Sequence, residues 1–175
     1  PSWHNAPVPS FGPADAPRAI PATAGITRGV LADTIVIPYN DADALERVLK
    51  NGDVAAFIVE PVMENIGICM PQPGYLEAVR EITRRHGTML IFDEVKTGIT
   101  AGWGGATGAV GVQPDLVSLA KSIGGGLPLG AFGGTHECMD QISAGKVLHW
   151  VCRFDLGDGR KEILPQTLWR EAGRL

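Results

Sequence analysis

Three short apolar runs, each ending directly on a charged residue, constrain this chain more than any other feature. Residues 54–59 (Val-Ala-Ala-Phe-Ile-Val) lead into Glu60, residues 88–92 (Thr-Met-Leu-Ile-Phe) into Asp93, and residues 115–120 (Asp-Leu-Val-Ser-Leu-Ala) into Lys121. Apolar runs of this length without alternation suit strands buried on both faces of a parallel sheet. Between the first two lies a helical pattern: Tyr75, Leu76, Val79 and Ile82 recur on one face, with Glu77, Arg80, Glu81, Arg84 and Arg85 on the other. Glu81 and Arg85 form a favourable i,i+4 pair, and Gly87 ends the helix. Residues 54–92 therefore read as strand, crossover helix and strand, expected to be parallel and right-handed. The fold class is α/β, a mostly parallel open sheet with flanking helices.

The remaining chain fits around this unit. Residues 1–33 hold several prolines and no sustained period, so they read as extended loop. The β-branched run 34–38 predicts a short strand, and Asp41 an N-cap for a helix through Leu45, Val48 and Leu49 that stops at Gly52. Residues 98–111 read as a glycine-rich loop, 130–134 as a further short strand, and 137–142 as a helix. The divisions expected are an extended segment over 1–33, a partial large domain over 34–148 and a divergent, irregular tail over 149–175. The opening at Pro1, followed by Pro, Ala and Gly-rich sequence, reads as the interior of a longer protein.

Composition narrows the function classes. The 175 residues carry a formal net charge of −4 and no long basic run, so no nucleic-acid partner is expected. No stretch approaches the roughly 18 consecutive apolar residues of a membrane span. Residues 1–11 lack the charged-then-apolar order of a secretory signal. Cys69, Cys138 and Cys152 are an odd set without a close pair, which suits reduced thiols in a cytoplasmic protein better than disulfides or a zinc site. His4, His86, His136 and His149 have no metal-ligand spacing, and Arg80, Arg84 and Arg85 read as a solvated helix face.

In an open parallel sheet, ligands bind beyond the carboxyl ends of the strands, and Glu60, Asp93 and Lys121 all fall there. A lysine amine condenses with an aldehyde to form an imine. A carboxylate beside a pyridine nitrogen favours the protonated ring, which then withdraws electrons from a substrate's α carbon. Such a lysine needs to be neutral to shuttle a proton, so burial or a cationic neighbour is expected around it. Gly124, Gly125 and Gly126 allow a sharp turn after Lys121. They form neither a Walker loop nor a dinucleotide fingerprint, which sets aside a nucleotide-binding module.

At these residues the sequence resembles the class III, fold-type I pyridoxal-phosphate aminotransferases. The segments that carry the resemblance are Val59-Glu60-Pro61-Val62, Leu90-Ile91-Phe92-Asp93-Glu94-Val95-Lys96-Thr97-Gly98, Pro114 through Lys121, and Gly124 through Gly134. Within the class, Glu60 through Gly67 and the interval from Asp93 to Lys121 are similar to the glutamate-1-semialdehyde aminomutase type. The resemblance implies part of the large domain of such an enzyme and pyridoxal 5'-phosphate as cofactor. It further implies an internal aldimine at Lys121, Asp93 on the pyridinium nitrogen, Val95 on the ring face, Glu60 near the Asp93 side, and Lys96 near the ring's phenolic oxygen. Glu94 is read as a neighbour of the site or a sheet-edge residue.

The implied activity is amino-group transfer, or a 1,2-amino shift, on a small amino acid or semialdehyde by a homodimer. Thr97-Gly98-Ile99-Thr100 departs from the family's usual Thr-Gly-Phe-Arg. The family's upstream phosphate-holding loop has no counterpart here, and residues 150–175 match no family segment. A non-catalytic remnant of such an enzyme is the alternative reading.

Overall fold

The structure is a computed structural model that describes residues 8–9, 17, 19–21, 24–143, 151–155 and 161–165. Four strands form the central sheet in the order β3 (Ala56–Val59), β4 (Met89–Asp93), β5 (Leu116–Leu119) and β6 (Ala131–Gly134). The first three run parallel and β6 is antiparallel to β5. That is the mostly parallel sheet the apolar runs predict.

One face of the sheet is covered by two helices whose ends are written in the sequence. Asp41 caps α2 (Ala42–Leu49), its Oδ1 accepting from the Ala44 N–H at 2.8 Å, as expected. Helix α3 (Tyr75–His86) runs between Gly74 and Gly87, both left-handed, at φ 83° and 68°. Those angles favour glycine, which has no Cβ to clash. The buried stripe of α3 packs with Leu45 and Leu49 of α2 onto Val59, Leu90 and Phe92. Glu81 and Arg85 pair at 3.4 Å. Arg85 also reaches Glu46, and Arg80 leaves the solvated role expected of it to pair with Asp115 at 2.8 Å.

Several expectations are corrected. Residues 34–38 carry no strand: a β-branched run becomes one only where a neighbour takes its backbone groups, and no described strand pairs with it. The segment 1–33 is not wholly irregular. It contains α1 (Arg28–Ala32) and a short antiparallel pair, β1 (Val8–Pro9) with β2 (Ala19–Ile20). Residues 98–111 are not a loop but largely two short helices, α4 (Thr97–Thr100) and α5 (Gly105–Val110). Burial of the strands is one-sided: Leu90 and Phe92 are fully buried, whereas Ile58 is 56% exposed and Met89 40%. No described helix covers the Ile58 side over β3.

Helix α6 (His136–Ser143) follows β6 as predicted. In the terminal stretch, expected to be irregular, β7 (Val151–Asp155) pairs antiparallel with β8 (Lys161–Pro165). Among the described residues no helix is long and apolar enough to cross a membrane.

Candidate active site

The sheet register places the charged strand ends at one edge. Val59 lies opposite Phe92, so Glu60 and Asp93 leave neighbouring strands together. Asp93 in turn lies opposite Ser118, three positions before Lys121. The parallel ladder continues past β4, where the Glu94 N–H donates to the Ser118 carbonyl at 2.9 Å.

Asp93 is half-buried and lightly committed. Its Oδ1 accepts from the Val95 N–H at 3.0 Å, with the Ser118 hydroxyl at 3.5 Å. Among the described residues nothing donates to Oδ2, so one oxygen of this carboxylate is left for a ligand donor. Val95 is half-buried beside it.

Lys121 begins a tight 3-10 turn, Lys121–Gly124, directly after extended Ala120. Its φ is +52°, a left-handed conformation rare in bulky residues and concentrated at functional sites. Gly125 and Gly126, at φ 55° and 100°, complete the sharp turn expected of the glycines. The burial expected around the amine is not found: Lys121 is exposed, standing past the end of β5 on a turn against which α4 packs.

Glu60 and Lys96 are occupied locally. Glu60 accepts from the Glu64 N–H at 3.1 Å and the Asn65 amide at 2.9 Å, bracing its own loop. The Lys96 ammonium donates to the Glu64 carbonyl at 2.8 Å, tying that loop to the turn after β4. Tyr39 supports the loop from behind by donating to the Pro61 carbonyl at 2.8 Å, and burial pushes its hydroxyl pKa strongly up. Asn40, also left-handed at φ 64°, accepts from the Gln72 N–H and donates to the Met70 carbonyl. The sequence offered no signal for these two residues, since they act across 22 to 32 positions.

The residue most underestimated from sequence is Glu94. It is 2% exposed. Its carboxylate accepts from the Thr97 hydroxyl at 3.1 Å, the Ala106 N–H at 2.6 Å, the Thr107 N–H at 2.9 Å and the Thr107 hydroxyl.

The open, mostly parallel sheet thus brings an amine and a carboxylate to adjacent strand ends, where ligands of such sheets bind. Comparison with known proteins then places the chain: the Aminotransferase class-III profile matches residues 16–150, and the chain belongs to that family. It is 50% identical over 125 residues to the glutamate-1-semialdehyde 2,1-aminomutase of Symbiobacterium thermophilum, covering 70% of this chain and 29% of that one. Among solved structures it resembles an omega-transaminase from Sphaerobacter thermophilus, with TM-score 0.69 and 39% identity over 75% of this chain and 31% of that one. A glutamate-1-semialdehyde-aminomutase from Pseudomonas aeruginosa PAO1, a lysine-to-alanine variant in complex with PMP, superposes with TM-score 0.65 and 40% identity over 78% of this chain and 30% of that one. The chain thus spans about three-tenths of the length of these relatives.

Proposed function

We propose that this chain forms part of a pyridoxal 5'-phosphate site that moves an amino group on a small amino acid or semialdehyde, by transfer or by a 1,2-shift. The observation that carries the reading is the placement of Asp93 and Lys121 at the carboxyl ends of neighbouring parallel strands. The donor set fits the group: a primary amine for its aldehyde and a carboxylate with an open oxygen for its ring nitrogen. When bound, the cofactor supplies an electron sink for the substrate carbon that bears the amine.

The protein's own part follows from ordinary electrostatics. Asp93, with Oδ2 free of donors among the described residues, would hold the proton of the ring nitrogen. Lys121 would supply the amine that attaches the group and would carry a proton to or from the substrate carbon. Val95 would lie against the ring face, and Glu60 and Lys96 set the loop beside it. The names of the relatives, an aminomutase and a transaminase, favour a small-molecule amino donor and acceptor, and the family resemblance of the sequence adds a cytoplasmic homodimer to the proposal.

The test is attachment. Incubation with pyridoxal 5'-phosphate, borohydride reduction and peptide mapping are expected to find the added mass on Lys121 alone. An adduct unchanged in Lys121→Ala overturns the assignment. A second reading, a remnant that holds the cofactor without turnover, is favoured by the exposure of Lys121, since this chemistry needs water excluded. Attachment at Lys121 without amino transfer to any α-keto acid supports that reading.

A further inference from the structure

We infer that Glu94 is a positioning residue for Lys121, acting through the two short helices it holds against the lysine's turn. The inference rests on the reading of Lys121 as the attaching amine.

A carboxylate this deeply buried is costly unless fully hydrogen-bonded. Glu94 meets that demand with four donors, none of them a charged side chain. Two are backbone N–H groups in the first turn of α5, at Ala106 and Thr107, otherwise without an intrahelical acceptor. The third and fourth are the Thr97 and Thr107 hydroxyls, one on each helix. The carboxylate therefore clamps α4 to α5 from beneath.

The surroundings are shaped for that clamp. Gly105 sits at φ +61°, and a Cβ there would overlap a carboxylate oxygen of Glu94. A Cβ on Gly98 would overlap the Leu119 side chain at the end of β5. Glycine at both positions lets the α4–α5 pair close onto the carboxylate on one side and onto the strand leading to Lys121 on the other. Helix α4 packs directly on the Lys121–Gly124 turn. Glu94's own backbone completes the connection, its N–H bonding to Ser118 and its carbonyl accepting from the Gly98 N–H at 2.8 Å.

Among the described residues the backbone bonds at the turn are all local: Ile123 N–H to the Ala120 carbonyl at 3.4 Å, Gly125 N–H to the Ser122 carbonyl at 3.2 Å and Leu127 N–H to the Gly124 carbonyl at 2.9 Å. A left-handed lysine persists only where the surroundings over-determine its conformation. The packed helix pair held by Glu94 supplies that constraint.

The test is amide hydrogen exchange on the cofactor-free chain, paired with spectroscopy after pyridoxal 5'-phosphate is added. Glu94→Gln keeps the shape but leaves one acceptor oxygen for four donors. It is expected to raise exchange at least several-fold both over 97–110 and at Ile123, Gly125 and Leu127, with β3 and β4 unchanged. The cofactor's visible absorbance is then retained, while its induced circular dichroism falls several-fold because its orientation is no longer fixed. Faster exchange confined to 97–110, with the Lys121 turn as in the parent chain, overturns the inference. Should Glu94→Gln unfold the chain, Thr107→Val removes one donor while leaving the carboxylate, and its exchange at Ile123 and Gly125 decides in the same way. Absence of a Lys121 adduct in the parent chain removes the cofactor reading instead, and the exchange result still decides whether Glu94 governs the turn.

Discussion

The two ends of the sheet hold aspartates of opposite character. At the start of β5, Asp115 accepts from Arg80 at 2.8 Å and from the Leu90 N–H at 2.7 Å on a single oxygen. Its backbone adds bonds to the Leu90 carbonyl and from the Thr135 N–H. One residue thereby joins α3, β4, β5 and β6. At the other end, Asp93 accepts one firm bond and one long contact and keeps an oxygen open. Charge at a strand end is common to both. What separates the structural carboxylate from the candidate functional one is the partner: Asp115 takes two firm bonds, one of them from the Arg80 charge, whereas Asp93 takes one firm bond and pairs with no cation among the described residues.

Substitution at each end sharpens the contrast. The largest effect is expected for Lys121→Ala, which eliminates attachment of pyridoxal 5'-phosphate, checked by borohydride trapping, while the urea midpoint stays near that of the parent. Asp115→Ala is expected to do the reverse. It leaves Arg80 half of a largely buried pair, costing about 3 kcal/mol in urea unfolding, with Lys121 still reactive. A loss of attachment without loss of stability in Asp115→Ala would break the comparison. Asp93→Asn is expected to weaken cofactor affinity at least tenfold in a spectral titration, at a stability cost of less than about 1 kcal/mol. Asp41→Ala tests the covered side alone, removing the α2 cap for about 1 kcal/mol with no change at the site.

The smallest effect concerns pH. Glu46 has its pKa lowered, first by the hydrogen bond from His86 and then by the Arg85 charge. A carboxylate with a depressed folded pKa adds stability above its unfolded value, and that share is lost as pH falls through the folded one. Glu46→Gln is therefore expected to flatten the acid limb of the stability profile by removing a small share of stability at neutral pH, with the strongly acidic end nearly unchanged. An unaltered acid limb counts against the His86 contact.

Much of this was legible in the chain. Asp41 and Gly87 carry local physics, a side-chain cap and left-handed backbone, so α2 and the end of α3 could be placed from neighbours within a turn. The strand ends at Glu60, Asp93 and Lys121 could be read because an apolar run and the charge that stops it are contiguous. Helices α4 and α5 could not. Their sequence is rich in glycine and poor in periodicity, and the carboxylate that organises α5 lies 12 and 13 positions upstream. Arg80 was misread for the same reason, its partner being 35 positions away.

By itself, the sequence determined the succession of elements from α2 to α6, α4 and α5 apart, and the edge of the sheet where the amine and carboxylates gather. Those follow from apolar pattern and spacing along the chain, while the family is carried by the matching motifs. Tertiary structure alone decided that Asp115 is tied to Arg80 and Leu90 while Asp93 has no cationic partner among the described residues, that Glu60 and Lys96 brace a loop, and that Glu94 is a clamp beneath the lysine's turn. Hydrogen-bond capacity is allotted among groups brought together from distant positions, and that allotment exists only once the chain has folded.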